Sequence, residues 1–194
     1  MYLRLDMLVG VYQMQITVVG SQDDLYYRED VADLATELGK EIARRGHILV
    51  YGTEVDCNSL PCVAAQGARS EGGITVAIAD GKAHSGFYCS DAASVVVYTD
   101  ASIGGSREVV LANSSNAIIS ISGGAGTLTE IVVAYRNYIP IIAMEGTGGW
   151  SDKLAGQYLD SRKKVKVRTA KTAKEALDKI EDLMKRPDKG VKKR

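Results

Sequence analysis

Seven short runs rich in apolar residues punctuate the 194-residue chain: MQITVVG (14–20), HILVYG (47–52), ITVAIAD (74–80), SVVVYTD (94–100), AIISIS (117–122), IPIIAME (139–145) and KVKVRTA (164–170). Helical periodicity fills most of the gaps between them. From Asp30 to Arg45, residues Val31, Leu34, Leu38 and Ile42 fall on one face, and Gly46 follows as a terminating glycine. Residues 61–73, with Pro61 in the first turn, 107–116 and 127–138 read as further helices. A last helix, 173–186, opens on a Thr172-x-x-Glu175 capping box and buries Ala176, Ile180 and Leu183 or Met184. Continuous apolar strands separated by helices predict an α/β domain, a doubly wound, Rossmann-like parallel sheet of six or seven strands with helices on both faces.

In such a sheet, ligands sit beyond the carboxyl ends of the strands, where the winding reverses. That directs attention to the loops at 20–28, 52–60, 81–93, 101–106 and 122–126, and so to Gly20, Ser21 and Gly52 as candidate binding residues. The expected organisation is an extension at 1–13, one domain at 14–186 and a basic tail at 187–194.

Composition narrows the function classes. Acidic and basic residues balance at 24 each, which argues against nucleic-acid binding. Three cysteines, Cys57, Cys62 and Cys89, form no C-x-x-C pair, and with only two histidines no zinc spacing exists. No metal site is expected, and a reduced, cytoplasmic protein is. No apolar run approaches the length of a membrane span, and residues 1–13 make a poor signal peptide.

The loop Ser122-Gly123-Gly124-Ala125-Gly126-Thr127 lies between a strand and a helix. Free amides at a helix amino end hold phosphate well, and glycines let the anion reach the backbone. Two specific phosphate motifs fail: Thr129 stands where a dinucleotide fingerprint needs glycine, and no Gly-Lys-Ser/Thr follows. A tight turn with no ligand is the plain alternative. Glu130 reads two ways: the glutamate of a Thr127–Glu130 capping box, or an acid–base group beside a bound phosphate ester.

SGGAGTLTE (122–130) resembles the P-G-G-x-G-T-x-x-E motif of the Lonely Guy family of nucleotide phosphoribohydrolases, once mislabelled lysine decarboxylases. The family carries an arginine fifteen residues before the motif, and Arg107 stands fifteen before Ser122. Arg107, Gly123, Gly124, Gly126, Thr127 and Glu130 match. The resemblance implies that the arginine and the loop, Ala125 included, engage a nucleoside 5′-monophosphate and that Glu130 assists N-glycosidic cleavage. The family's proline is Ser122 here, a mild change, and its Arg-Lys pair is Arg107-Glu108. The family's glycine-rich turn after the second strand is GTEVDCNSLPC (52–62), which keeps Gly52 and brings in Glu54 and Asp56. IPIIAMEGTGGWSDKLAGQYLDSRKKVKV (139–167) resembles a branch related to molybdenum cofactor carrier proteins, which bind a phosphorylated pterin.

Three functions follow as expectations. The first is carrier-like binding of a phosphorylated heterocycle, a nucleotide or the molybdenum cofactor. The second is phosphoribohydrolase activity with Arg107 and Glu130 catalytic. The third and weakest is single-stranded DNA binding, since a DNA-uptake protein shares the broad fold. The resemblance also implies a homodimer or larger assembly. His84, Cys89, Trp150 and the GTGG turn (146–149) are secondary features: loop or packing residues, with the turn a possible second pocket wall.

Overall fold

The computed structural model describes residues 12–22, 27–53, 58–81, 90–101 and 106–185. Residues 1–11, the acidic pair Glu54 and Asp56, Cys57, His84, Cys89 and the tail lie outside the described residues.

Strands β1 (Gln15–Gly20), β2 (Ile48–Thr53), β3 (Thr75–Ala79), β4 (Val95–Tyr98), β5 (Ala117–Ile121), β6 (Ile141–Met144) and β7 (Val167–Ala170) form one sheet. Its order is β4-β3-β2-β1-β5-β6-β7, and every pairing is parallel. The expectation of a doubly wound parallel sheet is met, with seven strands. β5 is buried at every position. Having both faces covered is what lets such a strand be apolar throughout instead of alternating.

Helices α1 (Glu29–Arg44), α2 (Leu60–Ser70) and α6 (Ala173–Lys185) cover one face, and α3 (Ser106–Asn113) and α4 (Ala125–Arg136) the other. The α1–α2 contact is close because Gly39 and Gly67 lie in it. A Cβ on Gly39 would fall 1.7 Å from Ala64 O, and one on Gly67 2.3 Å from Thr36 O.

Several boundaries differ from the sequence reading, each for a local reason. The last strand begins at Val167, not Lys164, because Lys166 bridges antiparallel to Tyr158 in the crossover that precedes it. α3 stops at Asn113, short of residue 116. Ser114 and Ser115 turn their hydroxyls back onto Val110 O and Leu111 O, and Asn116 caps the start of β1 through Gln15 N. At α6, Thr172 Oγ1 accepts from Glu175 N at 3.2 Å, but the Glu175 carboxylate takes Lys171 N at 2.8 Å rather than Thr172 N, so the expected box closes one residue early. The GTGG segment leads into a short helix that periodicity did not show, α5 (Gly149–Leu154).

The chain runs β1 to β4 towards one edge, crosses back through α3, and continues β5 to β7 towards the other. The winding therefore reverses between β1 and β5. Gly20 pairs there with Ile121, at the carboxyl ends of both strands. No described helix is long and apolar enough to cross a membrane.

Candidate functional site

The loop after β5 turns sharply. Ser122 has φ 56° and Gly123 φ 99°. Proline is locked near −65° and cannot take the Ser122 conformation. The exchange of the family's proline for serine is thus no mild change in this chain. Gly123 has no room for a side chain either, since a Cβ would lie 2.4 Å from Thr127 Oγ1. Thr127 needs that space because its hydroxyl donates to Gly20 O at 3.1 Å, tying α4 to the end of β1.

Ser21 completes the tie. Its hydroxyl donates to Ser122 Oγ at 3.0 Å and accepts from Gly123 N at 3.0 Å, while its carbonyl accepts from Leu60 N at 2.9 Å. Three loops, after β1, before α2 and after β5, meet in one buried serine.

The other side of the loop rests on α5 and the turn before it. Trp150 N donates to Gly123 O at 2.9 Å, and Ser151 donates to Ser122 O through N at 3.1 Å and Oγ at 2.9 Å. Ser122 N donates to Thr147 Oγ1 at 2.8 Å, and Thr147 Oγ1 in turn donates to Met144 O at 2.8 Å. Asp152 holds the GTGG turn through Gly146 N and Gly148 N. The turn is thus a brace behind the loop.

That brace orients the loop. Carbonyls of Ser122 and Gly123 point at α5. In a trans peptide the next amide points the opposite way, so Gly124 N–H is directed away from α5. The first intrahelical bond of α4 runs from Leu128 N to Gly124 O at 3.1 Å. By helix geometry, the amides of Ala125, Gly126 and Thr127 have no partner within the helix. Gly124 is the N-cap, with φ −96° and no side-chain cap, so the Thr127–Glu130 capping box is not formed. Thr127 is the third helical residue, not a cap. Ala125 and Gly126 are exposed, and a Cβ on Gly126 would meet nothing within 4 Å. The result is a rigid amide-lined helix end open to solvent, with the positive pole of a twelve-residue helix behind it.

Beneath this opening, charged residues turn inward. Glu130, one turn into α4, is 7% exposed. Arg107, in the first turn of α3, is 4% exposed, and its Nη1 donates to Thr53 O at 3.2 Å. Arg107 lies across Gly52, where a Cβ would meet Nη2 at 3.3 Å, so the absence of a side chain at 52 makes room for the guanidinium. Glu108 is almost fully buried beside it, with Oε1 3.6 Å from Arg107 Nη2. α3 packs against α4, so the helices that carry Arg107 and Glu130 are neighbours.

The structure therefore gathers Gly20, Ser21 and Gly123 to Thr127 at the switch point, and sets Gly52 with Arg107 under the adjacent end of β2. Sequence reasoning gave no site role to Glu108 or Ser151 and included Thr147 only within the GTGG turn, as a possible second pocket wall. Glu108 stood out only as the residue after Arg107, and the bracing contacts of the Thr147 and Ser151 hydroxyls carried no signal, because their partners are backbone groups of a loop 25 or more residues away. The described cysteine, Cys62, sits in the first turn of α2, where burial pushes its thiol up to about 12, well away from a reactive thiolate.

Comparison with known proteins agrees with this fold. The model of the SLOG cluster4 family matches residues 13–177. An uncharacterized protein of Archaeoglobus fulgidus is 36% identical over 123 residues, 63% of this chain and 74% of that protein. The solved structure of the structural-genomics target TM1055 is similar at a TM-score of 0.76 and 30% identity, covering 87% of this chain and 98% of that one. The molybdenum cofactor carrier protein of Chlamydomonas reinhardtii is similar at 0.73 and 26%, covering 89% and 98%. A DNA processing protein A from Helicobacter pylori, known for single-stranded DNA binding, shares the fold alone, at 0.62 and 12% identity over 89% and 80% of the two chains.

Proposed function

The chain belongs to the SLOG cluster4 family, and from that premise we propose that it binds a phosphorylated heterocycle, a nucleotide or a pterin of the molybdenum-cofactor type, at the amino end of α4. One observation carries this reading: the open first turn of α4, with Gly124, Ala125 and Gly126 bare of obstructing side chains and the loop carbonyls drawn back onto α5. The phosphate sits on the amides of residues 124–127, where the helix pole favours an anion and no lysine is needed. The likeness to the Chlamydomonas carrier supports a carrier over an enzyme.

A second reading, phosphoribohydrolase activity, has its own support. Glu130 is buried on α4 near its amino end, and the Thr127–Glu130 capping box is not formed. In that role it would be the acid–base group for N-glycosidic cleavage, with Arg107 on the neighbouring helix.

Native mass spectrometry of freshly purified protein tests the binding reading, and the expected outcome is a co-purified phosphorylated heterocycle. Release of free base from AMP, GMP, CMP and IMP, followed chromatographically, separates the two readings. No release is expected of a carrier. Base release by the unaltered chain that falls about a hundredfold in Glu130→Gln, with binding within a few-fold, would establish the hydrolase instead.

A further inference from the structure

We propose that the segment SRKKVKVR (161–168), together with Arg136 at the end of α4, is a docking surface for an acidic segment of a partner protein. Five of its eight residues are basic and none is acidic, in a chain whose charges balance at 24 each. The segment lies in the crossover from α5 to β7 and packs on the last turn of α4.

The one acid beside it, Asp160, is turned to holding it in place. Asp160 accepts from Tyr135 Oη on α4 and from Arg162 at N (2.9 Å) and Nε (2.7 Å). Arg162 first and Tyr135 second keep its carboxyl at about 2, so it is ionised with its partners already chosen. Tyr135 Oη accepts in turn from Lys164 N at 3.2 Å, and Lys163 N donates to Asp160 O at 3.2 Å. Val165 and Val167 are buried in the core on the α4 side of the sheet. Lys163 takes φ 47°, a conformation that suits glycine or asparagine better than lysine, so the turn itself gives no reason for a lysine there.

The cations that this frame presents are uncompensated. Arg136, Lys163 and Lys166 are exposed, and among the described residues neither they nor Lys164 is in an ion pair. On α1 and α6, by contrast, Lys40, Arg44 and Lys174 pair with Glu37, Glu71 and Asp178. The pole at the carboxyl end of α4 favours a nearby cation, but that effect fades within the last turn and does not account for four.

The chemistry of the surface selects the occupant. Lys164 Nζ lies 4.7 Å from the centre of the Tyr138 ring and covers it, so that ring offers no platform for a base. Tyr158, bridged to Lys166 and 42% exposed, supplies one open ring. Nucleic acid draws on repeated stacking and an extended basic field, and neither is present. Carboxylates on a protein segment need only the lysine and arginine charges, with a tyrosine at the edge. The twelve residues of α4 span about 18 Å, so a partner here stands at the far end of that helix from the open amides.

Fluorescence anisotropy of a labelled poly-glutamate peptide, titrated with the full chain, tests the proposal. Binding should appear at low ionic strength and fade as salt rises. Lys163→Glu and Lys166→Glu should each weaken it by about tenfold with melting temperature unchanged, whereas Lys174→Glu on α6, the same change in net charge, should leave it within about twofold. Where a variant fails to fold, amide exchange of the unaltered chain gives the same information: the peptide should protect residues 156–168 and leave α1 and α6 as they were. Absence of binding at low salt overturns the proposal, as does binding that survives both substitutions or falls equally in Lys174→Glu, or protection on α1 and α6 instead. Tighter binding of a thymidine oligonucleotide of equal charge also overturns it and makes the surface a nucleic-acid contact.

Discussion

The two helical faces of this sheet handle charge in opposite ways. On α1 and α6 the exposed residues are Glu29, Asp30, Asp33, Glu37, Arg44, Lys174, Asp182 and Lys185, every one charged. These helices present the ordinary amphipathic pattern, apolar inward and charge outward. Their ion pairs lie at the surface, as between Lys40 and Glu37 at 2.8 Å or Lys174 and Asp178 at 2.8 Å, and such pairs contribute little each. On α3 and α4, three of the four charged residues are buried, and apart from Arg136 the exposed residues are uncharged, Val109, Val110 and Val132 among them. Buried charge is costly and seldom stabilises a fold. Where a chain buries charge on one face while spreading it over the surface of the other, the first face is the place to look for the ligand.

The largest expected effect lies on the ordinary face. Gly39→Ala should destabilise by about 4 kcal/mol, above the usual overpacking range of about 1–3 kcal/mol, because the obstacle at 1.7 Å is the main-chain oxygen of Ala64. The melting temperature should fall by on the order of 10 °C. Alanine favours an isolated helix over glycine by about 1 kcal/mol, so a neutral result would break the claim that this face is held by close α1–α2 packing.

Next comes the inverted face. Arg107→Met should cost about 3 kcal/mol, the scale for breaking a buried pair, since it removes the guanidinium beside the buried Glu108 carboxylate. Arg107→Met combined with Glu108→Met should recover much of that loss while ligand binding stays poor. Chemical denaturation and calorimetry of the three variants would show it. Equal losses in single and double variants would mean that the two charges are independent.

The smallest effect is a pH dependence on the ordinary face. His47 is buried, its Nδ1 accepting from Met14 N at 3.5 Å and its Nε2 3.4 Å from Glu181. Burial lowers its pKa below 6.5; Glu181 opposes this, and the Arg45 charge adds to it. The unfolded chain then takes up the proton at a higher pH than the folded one. Its contribution to stability is complete above the unfolded pKa and is lost as pH falls from about 6.5 through the folded value. Melting temperature should therefore decline by a few degrees on acidification across that window, and His47→Gln should flatten the decline. An unchanged slope would show that another group governs it.

Much of this architecture was legible in the residues themselves. Strand-length apolar runs, the 3.6-residue period of Val31, Leu34, Leu38 and Ile42, and Gly46 after the helix are local signals, because they arise from neighbours a few positions apart. The glycine loop was legible for the same reason, and so was its place after a strand. What α4 does at that loop was not. Thr127 and Glu130 have capping-box spacing, but the hydroxyl of Thr127 goes to Gly20 O, 107 residues away, and the helix starts two residues earlier.

The alternating pattern by itself determined a parallel, doubly wound sheet, since only helices on both faces bury such strands. Tertiary structure alone decided where the winding reverses, which amides face solvent and which charges point inward. Those outcomes depend on contacts between segments far apart in the chain: Ser21 with Gly123, Trp150 with Gly123, Arg107 with Thr53. Residue spacing along one element carries no record of what a distant element will place against it.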